Sequence, residues 1–135
     1  MQKKNSYLVT GGCGFIGSNF IEILLAKGET IVNLDSYSYA ANKEINKRFL
    51  KNKNYSFYKG SYGNISLVRK IFKNHNINKV INFAAESHVD NSINGPLIFI
   101  KNNVYDFSIF LKECAFYYVK NKKNKFIFLH VSTDE

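Results

Sequence analysis

The sequence predicts an α/β chain, with five short strands assembled as a doubly wound parallel sheet in the order 3-2-1-4-5. Three observations carry this reading. Short β-rich runs alternate with helix-patterned stretches along the chain. The strand runs are continuously apolar, the habit of strands covered by helices on both faces. A glycine-rich turn joins the first strand to the first helix, and right-handed crossovers then give the strand order.

The elements are expected in sequence. Strand one is residues 6–10. The first helix is 15–27, with Ile16, Phe20 and Ile23 on its inner face and Gly28 as its stop. A second strand is 30–35, a weaker helix 42–50, and a third strand 55–59. Asn64 is placed to cap a helix running to about Asn74, with Val68, Ile71 and Phe72 inward. The fourth strand is 79–85. Pro96, the only proline, suits the first residue of a long helix, along which Val104, Phe107, Phe110, Leu111 and Cys114 form an apolar stripe. The fifth strand is 126–131, and its residues 126–129 are expected to form an apolar sheet edge.

With 135 residues the chain suits one domain, and 45% hydrophobic content is enough for a core, which excludes intrinsic disorder. The apolar runs are too short to span a bilayer, and no signal-peptide pattern follows the amino-terminal lysines. Cys13 and Cys114 make neither a disulfide framework nor a zinc site, so a reducing cytoplasm is the expected compartment and no metal is expected. The net charge of +9 would suit a nucleic-acid binder, but the lysines are scattered without aromatic interleaving. A solvated basic surface is the reading, with no nucleic acid and no membrane as partner.

Residues 10–17, Thr-Gly-Gly-Cys-Gly-Phe-Ile-Gly, place Gly11, Gly14 and Gly17 in a G-x-x-G-x-x-G pattern. Small residues are needed there for a tight turn, for close approach of the backbone to a pyrophosphate, and for packing the helix near the sheet. N–H groups at the helix start would face the anion. Asp35 ends the next strand, where an acid accepts ribose hydroxyls and repels a 2′-phosphate. The pattern is therefore Rossmann-type, with NAD favoured over NADP. Cys13 reads either as a redox-sensitive thiol near a helix start or as a small side chain in a tight loop.

Ligands in such sheets bind beyond the carboxyl ends of the strands. The polar residues gather there: Asp35, Ser61 and Tyr62, then Glu86, Ser87, His88 and Asp90, then Ser132, Thr133, Asp134 and Glu135. Asp134 and Glu135 could work as an acid–base pair or be solvated residues at a chain end. His88 reads as a hydrogen-bonding structural histidine, and Asp90 as a local cap.

The segments TGGCGFIGSNF, NLDSYSYAAN, FAAESHVDNSINGP and HVSTDE resemble those of the dTDP-glucose 4,6-dehydratases, a family of extended short-chain dehydrogenases/reductases. The resemblance runs from about Tyr7 to Glu135, and AAESHVD followed by STDE is its specific part. It implies NAD-dependent dehydration of a nucleotide sugar, dTDP-glucose, to the 4-keto-6-deoxy sugar. Glu135 would be the base at C5, Asp134 the acid at the C6 oxygen, and Thr133 and Ser87 substrate contacts. Gly11, Gly14, Phe15, Ile16, Gly17, Asp35, Ser36, Tyr37, Ser38, Ser61, Tyr62, Phe83, Ala84, Ala85, Glu86, Ser87 and Asn102 would line the NAD site. A homodimer through the long helix after strand four is implied as well.

Two departures stand out. The family usually has Asp-Ile where this chain has Ser61-Tyr62, so the adenine side loses a charged acceptor. Ala41 stands where glycine is common, and a positive φ there would be strained. The family's Tyr-x-x-x-Lys pair and substrate lobe are expected beyond Glu135, making this chain a partial form, poorly stable and inactive alone. Another nucleotide-sugar epimerase or dehydratase, or a non-catalytic NAD-binding remnant, are the alternatives.

Overall fold

The computed structural model describes residues 5–87, 89–121 and 125–132. Five parallel strands, β1 (Ser6–Thr10), β2 (Thr30–Asp35), β3 (Tyr55–Lys59), β4 (Lys79–Asn82) and β5 (Ile127–His130), form one sheet in the order β3-β2-β1-β4-β5. The order is the expected one. Parallel neighbours require crossover connections, and the helices between the strands supply them.

One face is covered by α1 (Phe15–Ala26) and α2 (Lys43–Phe49), the other by α3 (Ile65–Asn74) and α6 (Phe107–Asn121). Successive strand residues point to opposite faces, so two cores result. Tyr7, Val9, Ile31 and Ile81 pack with Ile21, Leu24 and Phe49 on the first face. Leu8, Val32, Leu34 and Val80 pack with Val68, Ile71, Phe72, Phe110, Cys114 and Tyr117 on the second. Asn42 and Asn64 cap α2 and α3, their side-chain oxygens accepting from the N–H groups of Ile45 and Leu67. Arg69 on α3 clamps Glu113 on α6 with two bonds of 2.8 Å, and Glu113 is buried.

Three expectations are corrected. The inner face of α1 is Gly17, Ser18, Ile21 and Leu24, whereas Ile16 and Ile23 are exposed and Phe20 is half-buried. Gly17 must lie against the glycine turn, and that contact sets the helix rotation. The helix after β4 is not one regular element. It runs as α4 (Val89–Asn94), α5 (Pro96–Ile100), a π-helical stretch (Lys101–Asp106) and α6, and the wide π turn changes which side chains face inward. Phe107 remains half-buried and Phe110 and Cys114 face the core, but Val104 and Leu111 are exposed, and Asp106, Glu113 and Tyr117 take inner positions. Finally, β4 ends at Asn82, three residues early, freeing 83–85 to form a loop at the sheet's carboxyl edge. As expected, β5 lies at the sheet edge with Ile127 and Leu129 exposed.

Phe110 is fully buried and stacks edge-on against Tyr62. Phe110→Ala is expected to cost about 3–5 kcal/mol of stability, the range for truncating a core phenylalanine, as read by the midpoint of denaturant unfolding.

Candidate functional site

The glycine turn is held by contacts that admit no side chain at two points. Gly11 has φ +69°, and a Cβ there would stand 2.7 Å from the backbone nitrogen of Ala84. A Cβ on Gly17 would stand 2.4 Å from the Gly11 carbonyl oxygen. Both obstacles are backbone, so neither can swing away. Gly14 is the N-cap of α1 and has no side chain to cap it, and the first turn of α1 holds no acid. The helix start is thus an uncapped, positively polarised end, suited to an anion.

The N–H groups of Gly11 to Gly14 are already engaged, those of Gly11 and Gly14 by the carbonyls of Leu34 and Gly11 at 3.0 and 3.2 Å. Gly12 donates to Asn33 Oδ1 at 3.1 Å, and Cys13 donates to Asp35 Oδ2 at 2.9 Å. The anion-facing groups are therefore those opening α1, while the turn itself is braced by strand β2. Asp35 is buried, and its Oδ1 accepts from the N–H of Tyr37 at 2.8 Å. Each carboxylate oxygen keeps lone-pair capacity for a hydroxyl. Ser36 and Ser38 are exposed, and Tyr37 is half-buried. Tyr37 has φ 59°, the only non-glycine positive φ among the described residues. The strain expected at Ala41 is therefore found four residues earlier.

Beyond β3, Tyr62 is buried and donates its hydroxyl to the Asn102 carbonyl. Burial, and then the charges of Asp106 and Glu86, push the Tyr62 phenol up to about 12, so it stays a neutral donor. The Ser61 hydroxyl accepts from Gly63 N–H at 3.0 Å and lies 3.4 Å from Asp106 Oδ2. Asp106 is buried and ion-paired to Lys101 at 2.7 Å. An i,i+5 pair meets here because the π turn brings those positions onto one side.

A cavity of about 340 Å³ opens beyond β4 and β5. Ala84, Ala85, Glu86, Ser87, Asn103, His130 and Ser132 are among its lining residues, with Tyr62 and Phe107 behind them. Asn103 fixes the loop after β4. Its Oδ1 accepts from Glu86 N–H at 2.9 Å, and its Nδ2 donates to the Glu86 carbonyl at 2.9 Å. Thr10, Asn82 and His130 sit side by side in the strand register. The Thr10 hydroxyl bonds Asn82, and Asn82 Nδ2 lies 2.8 Å from His130 Nδ1.

The fold is shared with known proteins. The chain matches the family described as GDP-mannose 4,6 dehydratase over residues 8–135. It belongs to that family. A dTDP-glucose 4,6-dehydratase of Xanthomonas campestris pv. campestris (strain B100) is 42% identical over 96% of this chain. The chain spans 38% of that relative's length. Among solved structures, DesIV, a dTDP-glucose 4,6-dehydratase from Streptomyces venezuelae with NAD and TYD bound, is 33% identical with a TM-score of 0.75. The match covers 83% of this chain and 36% of that one. A UDP-glucose 4-epimerase of Thermus thermophilus, in complex with NAD, is 28% identical with a TM-score of 0.73, over 83% of this chain and 34% of that one.

Within this family member, the structure brings most of the expected residues to one edge of the sheet. Gly11, Gly14, Gly17 and Asp35 meet around the first turn. Ala84, Ala85, Glu86 and Ser87 meet at the cavity, and Phe83 packs behind them against Phe20. Phe15 and Ile16 are exposed at the α1 start. Asn102 has its Nδ2 3.4 Å from Glu86 Oε1, yet its neighbour Asn103 lines the cavity. Thr133, Asp134, Glu135 and His88 lie outside the described residues. Sequence reasoning missed Asn103, Phe107 and His130. The first two depend on the π turn, which no periodicity rule anticipates. His130 takes its place through Asn82, its register partner on the neighbouring strand 48 residues earlier.

The thiol of Cys13 is buried, and burial together with the nearby Asp35 carboxylate pushes its pKa up to about 12. A raised acid pKa favours the neutral form, so the redox-sensitive reading is corrected to a packed, inert thiol. At pH 8, Cys13 is expected to react with a disulfide reagent roughly a thousandfold more slowly than a free thiol, rising tenfold per pH unit. A fast-reacting Cys13, located by peptide mass spectrometry, would contradict this. The same shift makes this group's stabilising contribution full below about pH 8.5 and lost progressively above it.

Proposed function

We propose that this chain is the NAD-binding portion of an enzyme that dehydrates dTDP-glucose to dTDP-4-keto-6-deoxyglucose. The carrying observation is the joint geometry of an uncapped α1 start behind Gly11, Gly14 and Gly17 and the buried Asp35 carboxylate beside them. These residues fit a dinucleotide. The α1 N–H groups would take the pyrophosphate, Asp35 the adenosine ribose, and the loop after β4 the nicotinamide side. Bound NAD supplies the hydride acceptor and donor for the sugar.

The chain's own residues supply position and proton transfer. Glu135 takes the C5 proton, and Asp134 gives a proton to the departing C6 oxygen. Thr133 and Ser87 hold the sugar, assignments supported by the STDE and AAESHVD segments. The relatives named dTDP-glucose 4,6-dehydratase support this substrate over the UDP-sugar of the epimerases. The two free, buried cysteines suit a reducing cytoplasm. Among the described residues, no helix is long and apolar enough to cross a membrane.

Homodimerisation fits the same reading. Leu97, Ile100, Val104 and Leu111 are exposed along α5, the π turn and α6, and an apolar stripe of that kind suits a second copy. Val104→Asp in the full-length protein is expected to shift the mass measured by light scattering from dimer toward monomer.

Asp35→Asn removes the charged acceptor and is expected to weaken NAD binding about tenfold or more, read by calorimetric titration. Product formation is followed by mass spectrometry as loss of water from dTDP-glucose. Turnover of UDP-glucose in preference to dTDP-glucose would move the assignment to another nucleotide-sugar enzyme. NAD binding with no turnover of either by the full-length protein would favour a binding remnant.

A further inference from the structure

The apolar core between the sheet and α1/α2 contains one polar chain. Gly12 N–H donates to Asn33 Oδ1, and Asn33 Nδ2 donates to the Tyr55 hydroxyl at 2.8 Å. Tyr55 then donates to Asn46 Oδ1, and Asn46 Nδ2 donates to the Tyr37 hydroxyl. Asn33, Asn46 and Tyr55 are buried, at 0%, 1% and 7% exposure. Burying two amides and a phenol among Ile21, Ile31 and Phe49 is costly unless every group is bonded, and here each is. These four bonds run donor to acceptor from the glycine turn toward Tyr37, so they polarise one another, and Asn33 Nδ2 also donates to Cys13 Sγ at 3.4 Å, a second tie to the turn.

This polar chain ends on Tyr37, the one non-glycine residue with positive φ among the described residues. Tyr37 at φ 59° lies in the left-handed region, which is strained for a tyrosine. Five contacts hold it there. Its N–H bonds Asp35, its hydroxyl bonds Asn46, its ring stacks on Phe57 at 4.9 Å, and the Lys43 and Lys59 ammonium groups lie 5.6 and 5.9 Å from the ring centroid. Such over-determination has a use if Tyr37 must stand at a fixed place. A structural tyrosine at that point would need neither the strain nor a relay back to the turn.

We infer that Asn33, Tyr55 and Asn46 are positioning residues that set Tyr37 as a wall of the adenosine subsite and tie that wall to the glycine turn. The inference rests on the dinucleotide reading of the site. Asp35 is shared by both ends of the relay, since it accepts from Cys13 in the turn and from Tyr37 in the wall. Pyrophosphate and adenosine ribose are thereby gripped by one braced unit.

The test compares two halves of the dinucleotide on the full-length protein freed of nucleotide. Affinities for ADP-ribose and for nicotinamide mononucleotide are measured by calorimetry on wild type, Asn46→Ala, Tyr37→Phe and the double variant. Both single variants are expected to lose about tenfold in ADP-ribose affinity, the scale of one hydrogen-bonded contact, with nicotinamide mononucleotide unchanged. The double variant is expected to lose no more than the worse single. Tyr37→Phe keeps the ring and changes only one hydroxyl, so it reports even where Asn46→Ala unfolds. Wild-type binding with variants within twofold for ADP-ribose would overturn the relay and leave the dinucleotide reading intact. Equal losses for both probes would reduce these residues to general stability and overturn it too. A wild type that binds neither probe would defeat the dinucleotide reading itself, and the relay with it.

Discussion

The close approach of α1 to the sheet governs most of this molecule's architecture. Gly17 sits so near the Gly11 carbonyl that no Cβ fits between them. That contact fixes the rotation of α1, which brings Ile21 and Leu24 onto the sheet and leaves Ile16 and Ile23 outside. It also holds the turn tight enough for Gly12 and Cys13 to reach Asn33 and Asp35 across on β2. The uncapped α1 start is the consequence: the turn commits the N–H groups of Gly11 to Gly14 to bracing and keeps the helix end open.

Strand count, order and register direction were legible in the sequence because continuous apolar runs and crossover handedness leave few alternatives. The helix faces were legible only in part. In α3, Val68, Ile71 and Phe72 face inward as their spacing implies, since that helix packs through ordinary side chains. In α1 the spacing of isoleucines misleads. A backbone-to-backbone glycine contact outranks side-chain hydrophobicity when the two imply different rotations. The long helix fails for a related reason. Within the π stretch Val104 turns outward and Asp106 inward, and beyond it Glu113 and Tyr117 join Phe110 and Cys114 in the core while Leu111 lies outside.

The candidate site follows the same division. Gly11, Gly14, Gly17 and Asp35 were readable because their chemistry depends on local spacing within one β-turn-α-β unit. Asn103, His130, Asn46 and Tyr55 were not, because their roles arise from partners far away in sequence. Asn103 acts through Glu86, His130 through Asn82 and Thr10, and Asn46 and Tyr55 through each other. Buried asparagines look like helix or strand defects in a sequence. Only the partner shows that each is satisfied.

The two sides of the sheet's carboxyl edge are braced differently. On the α1/α2 face, a continuous polar chain connects the turn to a strained tyrosine. On the α3/α6 face, two shorter clusters hold the cavity: Tyr62, Asn102, Glu86 and Asn103 in one, and Lys101, Asp106 and Ser61 in the other. A single connected network couples all its members, whereas short separate clusters can shift one at a time. The first arrangement suits a subsite that grips an unreacting part of a ligand. The second suits a wall that can adjust locally while its loop stays in register, and it places the adaptable side of the site beyond β4 and β5.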